Sequence, residues 1–177
     1  MSNSPKRYEI VPATPADAKE IGLLRAEGWY EQYGSLPGID TAWIEKEVIR
    51  ITSNDSTEQR SLSISESLNP ESAHFWRVVR RTDDNFVIGF IDARRLADGR
   101  QEIHSIHVQK NYRKQGLGQS LMKAAHEWFD QTKPIFVDVA VGNKKAQEFY
   151  TREPNNYKPT GYTYHYEKLS MMRLKRG

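Results

Sequence analysis

Two adjacent runs decide how this chain is read: Glu102-Ile103-His104-Ser105-Ile106-His107-Val108, and then Tyr112-Arg113-Lys114-Gln115-Gly116-Leu117-Gly118-Gln119-Ser120-Leu121. An apolar strand-like stretch ends, two glycines follow, and a helical pattern begins at once. The first amide N–H groups of a helix have no intrahelical acceptor, and the aligned peptide dipoles add partial positive charge there, so a diphosphate can supply what is missing. Gly116 and Gly118 have no Cβ to hold a ligand's oxygens off those amides, and they accept the turn dihedrals that aim the N–H groups inward. Arg113 and Lys114 place positive charge at the mouth.

Neither of the common nucleotide fingerprints fits this loop. A Walker loop ends in Gly-Lys-Ser/Thr, whereas Gly118 is followed by Gln119. A dinucleotide loop needs a third glycine and an acidic residue about twenty positions later; Asp138 stands at that distance, but Leu121 occupies the third glycine's place. The run Arg113-x-x-Gly116-x-Gly118 instead resembles the Q/R-x-x-G-x-G/A motif of the GNAT superfamily of acyl-CoA-dependent N-acetyltransferases. Upstream, Glu102-Ile103-x-x-Ile106-x-Val108 looks like that family's fourth strand. Downstream, Asn143-x-x-Ala146-x-x-Phe149-Tyr150 looks like its N-x-x-A-x-x-F-Y helix.

The resemblance implies an α/β (α+β) GNAT fold: a mixed, mostly antiparallel sheet of six to seven strands, with the fourth and fifth strands forming a parallel, splayed pair, flanked by about four helices. It implies acetyl-CoA as co-substrate, a small-molecule or peptide amine as acceptor, and no metal. The cofactor is expected against Ile106, His107 and Val108 of the fourth strand, against the loop residues Arg113, Lys114, Gln115, Gly116, Leu117, Gly118, Gln119 and Ser120, and beside Asn143 and Ala146. By the same resemblance Tyr150 is the general acid facing the coenzyme sulfur, and the helices after the first strand roof the acceptor pocket, with Trp29, Tyr30 and Tyr33 as its wall. Asn156 departs from the family pattern, standing where a glycine is usual, and Tyr157 replaces the customary phenylalanine.

At 177 residues the length favours one domain, divided into an N-terminal segment 1–7 expected to be disordered, a first strand and acceptor helices over 8–72, a cofactor core over 73–161, and C-terminal strands over 162–177. The chain has no cysteine, which excludes disulfides, thiolate metal sites and a cysteine nucleophile. Nothing has the length of a membrane span, and Met1-Ser2-Asn3-Ser4-Pro5 lacks the apolar core of a signal peptide, so the expected compartment is the cytoplasm. A net charge of +3, evenly spread, argues against nucleic acid as partner and suits a small anionic ligand. A homodimer through the last strands is compatible with the sequence, although nothing in it requires one.

Tyr8 to Val11 alternates as a first strand; Thr14-Pro15-Ala16-Asp17 starts a helix that runs to about Tyr33, and Asp40 caps another through about Arg50. Thr52 to Ser72 is polar, and a short exposed helix with a mobile loop is expected there. From His74 the period becomes two, with Thr82-Asp83-Asp84-Asn85 as a hairpin turn. On the fourth strand the apolar positions Ile103, Ile106 and Val108 slip by one, which a bulge near Ser105 and Ile106 would absorb. Leu117, Leu121, Ala125 and Trp128 form the buried stripe of the next helix, and Ile135 to Val141 the strand parallel to the fourth.

Acetyl transfer from a thioester to an amine needs a neutral amine, a stabilised oxyanion and a protonated thiolate. A positioned general base contributes about 10²–10⁴-fold. Glu102 matches the position of a glutamate base in several family members; His104 has the better unperturbed pKa, and His104 or His107 could join a water relay. The backbone N–H near Ile106 is expected to meet the oxyanion. A module of the same shape that binds acyl-CoA without turnover is the alternative.

Overall fold

The computed structural model describes residues 7–177, so the expectation for the extreme N-terminus lies, apart from Arg7, outside the described residues. Its backbone runs β1 (Tyr8–Pro12), α1 (Ala18–Tyr33), α2 (Thr41–Thr52), α3 (Asn54–Ser67), β2 (His74–Arg81), β3 (Val87–Arg95), β4 (Gln101–Val108), α4 (Leu117–Trp128), β5 (Ile135–Ala140), α5 (Lys144–Thr151), β6 (Lys158–Tyr166) and β7 (Leu169–Arg176). The strands form one sheet in the order β1-β2-β3-β4-β5-β7-β6. Short turns join β2 to β3, β3 to β4 and β6 to β7, the helices α1–α3 separate β1 from its antiparallel neighbour β2, and β4 and β5 are parallel because α4 carries the chain back between them.

Alternating apolar residues give the sheet two buried faces. Ile88, Ile91, Ile103 and Val137 meet Leu121, Met122 and Ala125 of α4 on one side. Val78, Val87 and Phe90 meet Ile21 and Leu24 of α1 and Ile64 of α3 on the other. Trp43 and Ile44 of α2 pack on Leu169, and Trp29 and Tyr33 lie against that cluster.

Three local features differ from the sequence expectation or refine it. The polar stretch expected as a short helix and mobile loop is the fourteen-residue α3, capped by Ser53, whose Oγ accepts from Ser56 N at 3.2 Å. The described residues thus form five α-helices, where about four were expected. Apolar periodicity underestimated the length of α3 because Leu62 and Leu68 are exposed and one of its anchors is an arginine. The buried Arg60 donates to Ala18 O at 2.7 Å and to Ile51 O at 2.9 Å, satisfying carbonyls of α1 and α2 that water cannot reach.

The bulge falls one residue earlier than expected: Asp92 pairs with Ser105 and Ala93 with Ile103, so His104 is the extra residue of β4. Beyond it the parallel pair separates. Pairing of β4 with β5 spans only Gln101↔Ile135 to Ile103↔Val137, whereas β5 continues against β7 as far as Ala140↔Met171. From Ser105 to Val108, the edge of β4 that faces β5 therefore has no strand partner.

Asn156 adopts φ 56°, the left-handed conformation in which glycine is usual and asparagine is the best-tolerated substitute. The departure from the family pattern thus leaves the turn intact, and Tyr157 is buried with its hydroxyl 3.0 Å from His126 Nε2.

Candidate active site

Where β4 and β5 separate, a cleft of about 1240 Å³ opens at their carboxyl ends. Its walls come from α1, the β4 edge, the loop into α4, β5, α5 and β6. One end is basic, the middle is the strand gap, and the far end is aromatic.

At the basic end Lys114 and Gly116 have φ of 62° and 79°, and α4 starts immediately afterwards. Ser120 N is the first amide to close a bond back, donating to Gly116 O at 2.9 Å, so the amides of Leu117, Gly118 and Gln119 precede the helix's first bonded donor and have no intrahelical acceptor. The two glycines are required for different reasons. Gly116 faces open space and is needed for its left-handed backbone, while a Cβ on Gly118 would already stand 3.4 Å from Phe149 Cε2. Gln119 Oε1 is buried without a partner, an acceptor that a ligand's N–H would satisfy. Lys110, Lys114, Lys144 and Lys145 are also on the wall.

Arg113 is not a free cation at this mouth. Its Nε donates to Val108 O at 2.6 Å and its Nη2 to Glu31, so it clips the loop to β4 and α1. Of the expected cofactor residues, Ile106, His107, Val108, Arg113, Lys114, Gly116, Leu117, Gly118, Gln119, Asn143 and Ala146 line the cleft; Gln115 and Ser120 do not. The Ser120 amide is consumed by the helix, and its hydroxyl donates to Gly116 O at 3.1 Å. The ring of His107 turns away from the gap, buried against Gly28 of α1 with Glu27 Oε1 at 3.4 Å; burial and the nearby Arg113 hold its pKa down. His107 thus contributes main chain to the wall and packing to α1.

Asn143 caps α5, its Oδ1 accepting from Ala146 N at 3.1 Å, and its Nδ2 reaches Gln32 of α1 at 3.3 Å. Tyr150 lies two turns further, buried on the cleft wall, with ring neighbours Phe149 at 5.3 Å and Tyr157 at 5.7 Å. Burial raises its pKa far above neutrality, so it is a neutral phenol with a proton to donate.

At the aromatic end Arg25, Trp29 and Tyr33 recur every fourth residue on one stripe of α1. Trp29 meets Tyr33 edge-on at 4.9 Å and Trp43 at 5.6 Å. Tyr30, expected with them, falls on the other side of the helix, is 47% exposed and does not line the cleft. From the sheet come Glu102 and His104, whose Oε1 and Nδ1 are 3.5 Å apart, and Tyr164, whose hydroxyl donates to Asp138 at 3.0 Å. His104 Nε2 lies 3.5 Å from Arg25 Nη2. Arginine only donates, so Nε2 must be the acceptor and Nδ1 carries the proton facing Glu102. The hydrogen bond from His104 is the main reason the Glu102 carboxyl titrates below its ordinary range despite partial burial.

The sequence profile of the acetyltransferase (GNAT) family matches residues 39–153, more than half of the chain. This chain belongs to that family, and it is an acyltransferase. Solved GNAT structures share its fold. PaiA N-acetyltransferase from Thermoplasma acidophilum in complex with coenzyme A superposes with a TM-score of 0.74 at 18% identity, covering 96% of this chain and 99% of that one. Ribosomal-protein-S5-alanine acetyltransferase from Vibrio fischeri gives 0.65 at 14% identity, over 99% of this chain and 96% of that one. A mutant of SpeG spermidine N-acetyltransferase from Vibrio cholerae gives 0.60 at 16% identity, over 97% and 94%. A comparison with curated proteins found no match. Among the described residues no helix is long and apolar enough to cross a membrane.

Sequence reading missed Arg25, Gln32, Asp138, Tyr164 and Tyr166 as parts of this GNAT cleft. Arg25 had a legible signal, standing one helical turn before Trp29. The β6 tyrosines share one face of their strand, which reads first as cross-strand packing; their place at the cleft follows only from β7 inserting between β5 and β6.

Proposed function

We propose that the chain transfers an acetyl group from acetyl-CoA to a primary amine by direct attack within a ternary complex. The single observation that carries this reading is the unpaired β4 edge opening between the amides of Leu117 to Gln119 and the buried phenol of Tyr150. Those amides, the orphaned Gln119 oxygen and the lysines on the wall fit a diphosphate carrier with a long amide-bearing arm, whose thioester supplies the activated acyl group.

The chain's own groups then divide the work. The main chain of the β4 edge near Ile106 holds the arm and places an N–H where negative charge develops on the acyl oxygen. Glu102 takes the amine proton, directly or through water. It is preferred to His104 because the Nε2 lone pair of His104 already faces Arg25, leaving that imidazole to orient the carboxylate. Tyr150 returns a proton to the departing sulfur, and burial keeps that proton in place at neutral pH. Trp29, Tyr33 and Tyr166 shape the acceptor end.

Thiol release from acetyl-CoA, followed across a panel of amines, tests this. Release that depends on the amine is expected. Calorimetric binding of CoA with no release for any acceptor would overturn catalysis and leave a binding module.

A further inference from the structure

Three carboxylates stand on the cleft wall, and each is already engaged. Glu31 holds Arg113, Asp138 receives both Nε and Nη2 of Arg173 at 2.8 Å, and Glu102 faces His104 at 3.5 Å. Arg25 is the opposite case. It is half-buried at the aromatic end, its one hydrogen-bond partner among the described residues is the imidazole of His104, and it has no carboxylate at ion-pair distance. The one carboxylate whose charge acts on it, Asp92, is held by Nε and Nη2 of Arg94 at 3.3 and 2.7 Å.

Removing a guanidinium from water without an anion is costly, and folded chains offset that cost with a paired charge. Here the missing anion faces the site where the acceptor must enter. The guanidinium fork matches a carboxylate through two parallel hydrogen bonds, and it sits one imidazole away from the carboxylate assigned to deprotonate the amine. A polyamine would meet the reverse arrangement: its additional ammonium groups would approach Arg25, and every wall carboxylate is already in use.

We propose that Arg25 binds the carboxylate of the acceptor, so that the substrate is an aminocarboxylate of amino-acid type with an apolar or aromatic body set among Trp29, Tyr33 and Tyr166. This deepens the acetyl-transfer reading and rests on it for the direction in which the amine points.

Two readouts separate the two ideas. The first is thiol release with free amino acids, with the matching decarboxylated amines and with spermidine. The second is calorimetric titration of N-acetyl amino acids, and of the corresponding N-acetyl amines lacking the carboxylate, into the enzyme saturated with CoA. The carboxylated member of each pair is expected to be favoured about 10- to 100-fold, the range of a charge-assisted pair. Arg25→Gln should erase that preference through KM with CoA affinity unchanged, and Arg25→Lys, which keeps the charge without the fork, should restore part of it. Preference for spermidine or the decarboxylated amines, or a carboxylate preference that survives Arg25→Gln, would overturn the assignment. If no amine supported turnover while the calorimetric preference held and was lost in Arg25→Gln, acetyl transfer would fall and the carboxylate site would stand.

Discussion

Replacing Tyr150 by phenylalanine isolates the proton that the proposed reaction needs last. The ring is buried and makes edge contacts to Phe149 at 5.3 Å and Tyr157 at 5.7 Å, which phenylalanine keeps. The hydroxyl has no hydrogen-bond partner among the described residues, and burial alone is the main cause of its raised pKa. Its removal therefore breaks no bond within the fold, and the stability change should stay within about 1 kcal/mol, or roughly 2–4 °C in Tm. Loss of a general acid costs about 10²–10⁴-fold in rate. The expected result is kcat lowered at least about 100-fold, with CoA affinity by calorimetry and Tm by differential scanning both near wild type. Since the phenol stays protonated well above neutrality, wild-type kcat should show no loss of this acid up to about pH 9. A variant with kcat within twofold of wild type would refute the role. A large drop in Tm would instead reveal a structural partner for the hydroxyl.

Glu102→Gln should lower kcat by about 10²-fold or more with little change in CoA affinity. Because His104 holds the Glu102 carboxyl below its usual range, the wild-type rate should follow deprotonation of the amine rather than a limb near neutrality, which a pH–rate profile reads. His126 is shifted from 6.5 to about 4, first by burial and then by Arg176, so the unfolded chain takes up a proton before the folded one does. Stability should therefore be full above pH 6.5 and fall by on the order of 2–3 kcal/mol as the pH drops toward 4, and urea titrations of His126→Gln should show that slope flattened. Ile64 is fully buried between α3 and the sheet, so Ile64→Ala should cost about 2–5 kcal/mol in urea unfolding, whereas an exposed mobile loop would show almost no change.

The core of the fold was legible because its signals are local and mutually consistent. The Gly116-x-Gly118 turn, the alternation of β5 and the stripe through Leu121 and Ala125 each follow from neighbours in sequence, and together they require the parallel crossover. The slipped alternation on β4 announced a bulge, although only pairing with β3 shows that His104 is the extra residue. What was not legible depended on distant partners. α3 is anchored by Arg60 through carbonyls on two other helices, so a hydrophobic pattern underestimates it. Arg113 reads as phosphate charge until Glu31, eighty-two positions away, is seen to hold it. Tyr30 and Tyr33 look equivalent by composition, and only the rotation of α1 divides them into solvent and cleft.

The central claim is that the main chain entering α4, together with the free edge of β4, holds an acyl-CoA carrier. Backbone amide resonances followed by NMR during a CoA titration test it most directly. The account predicts that the largest shifts fall on Leu117, Gly118 and Gln119 and on Ile106 to Val108. Saturable binding that left those amides unmoved, and shifted others, would contradict it.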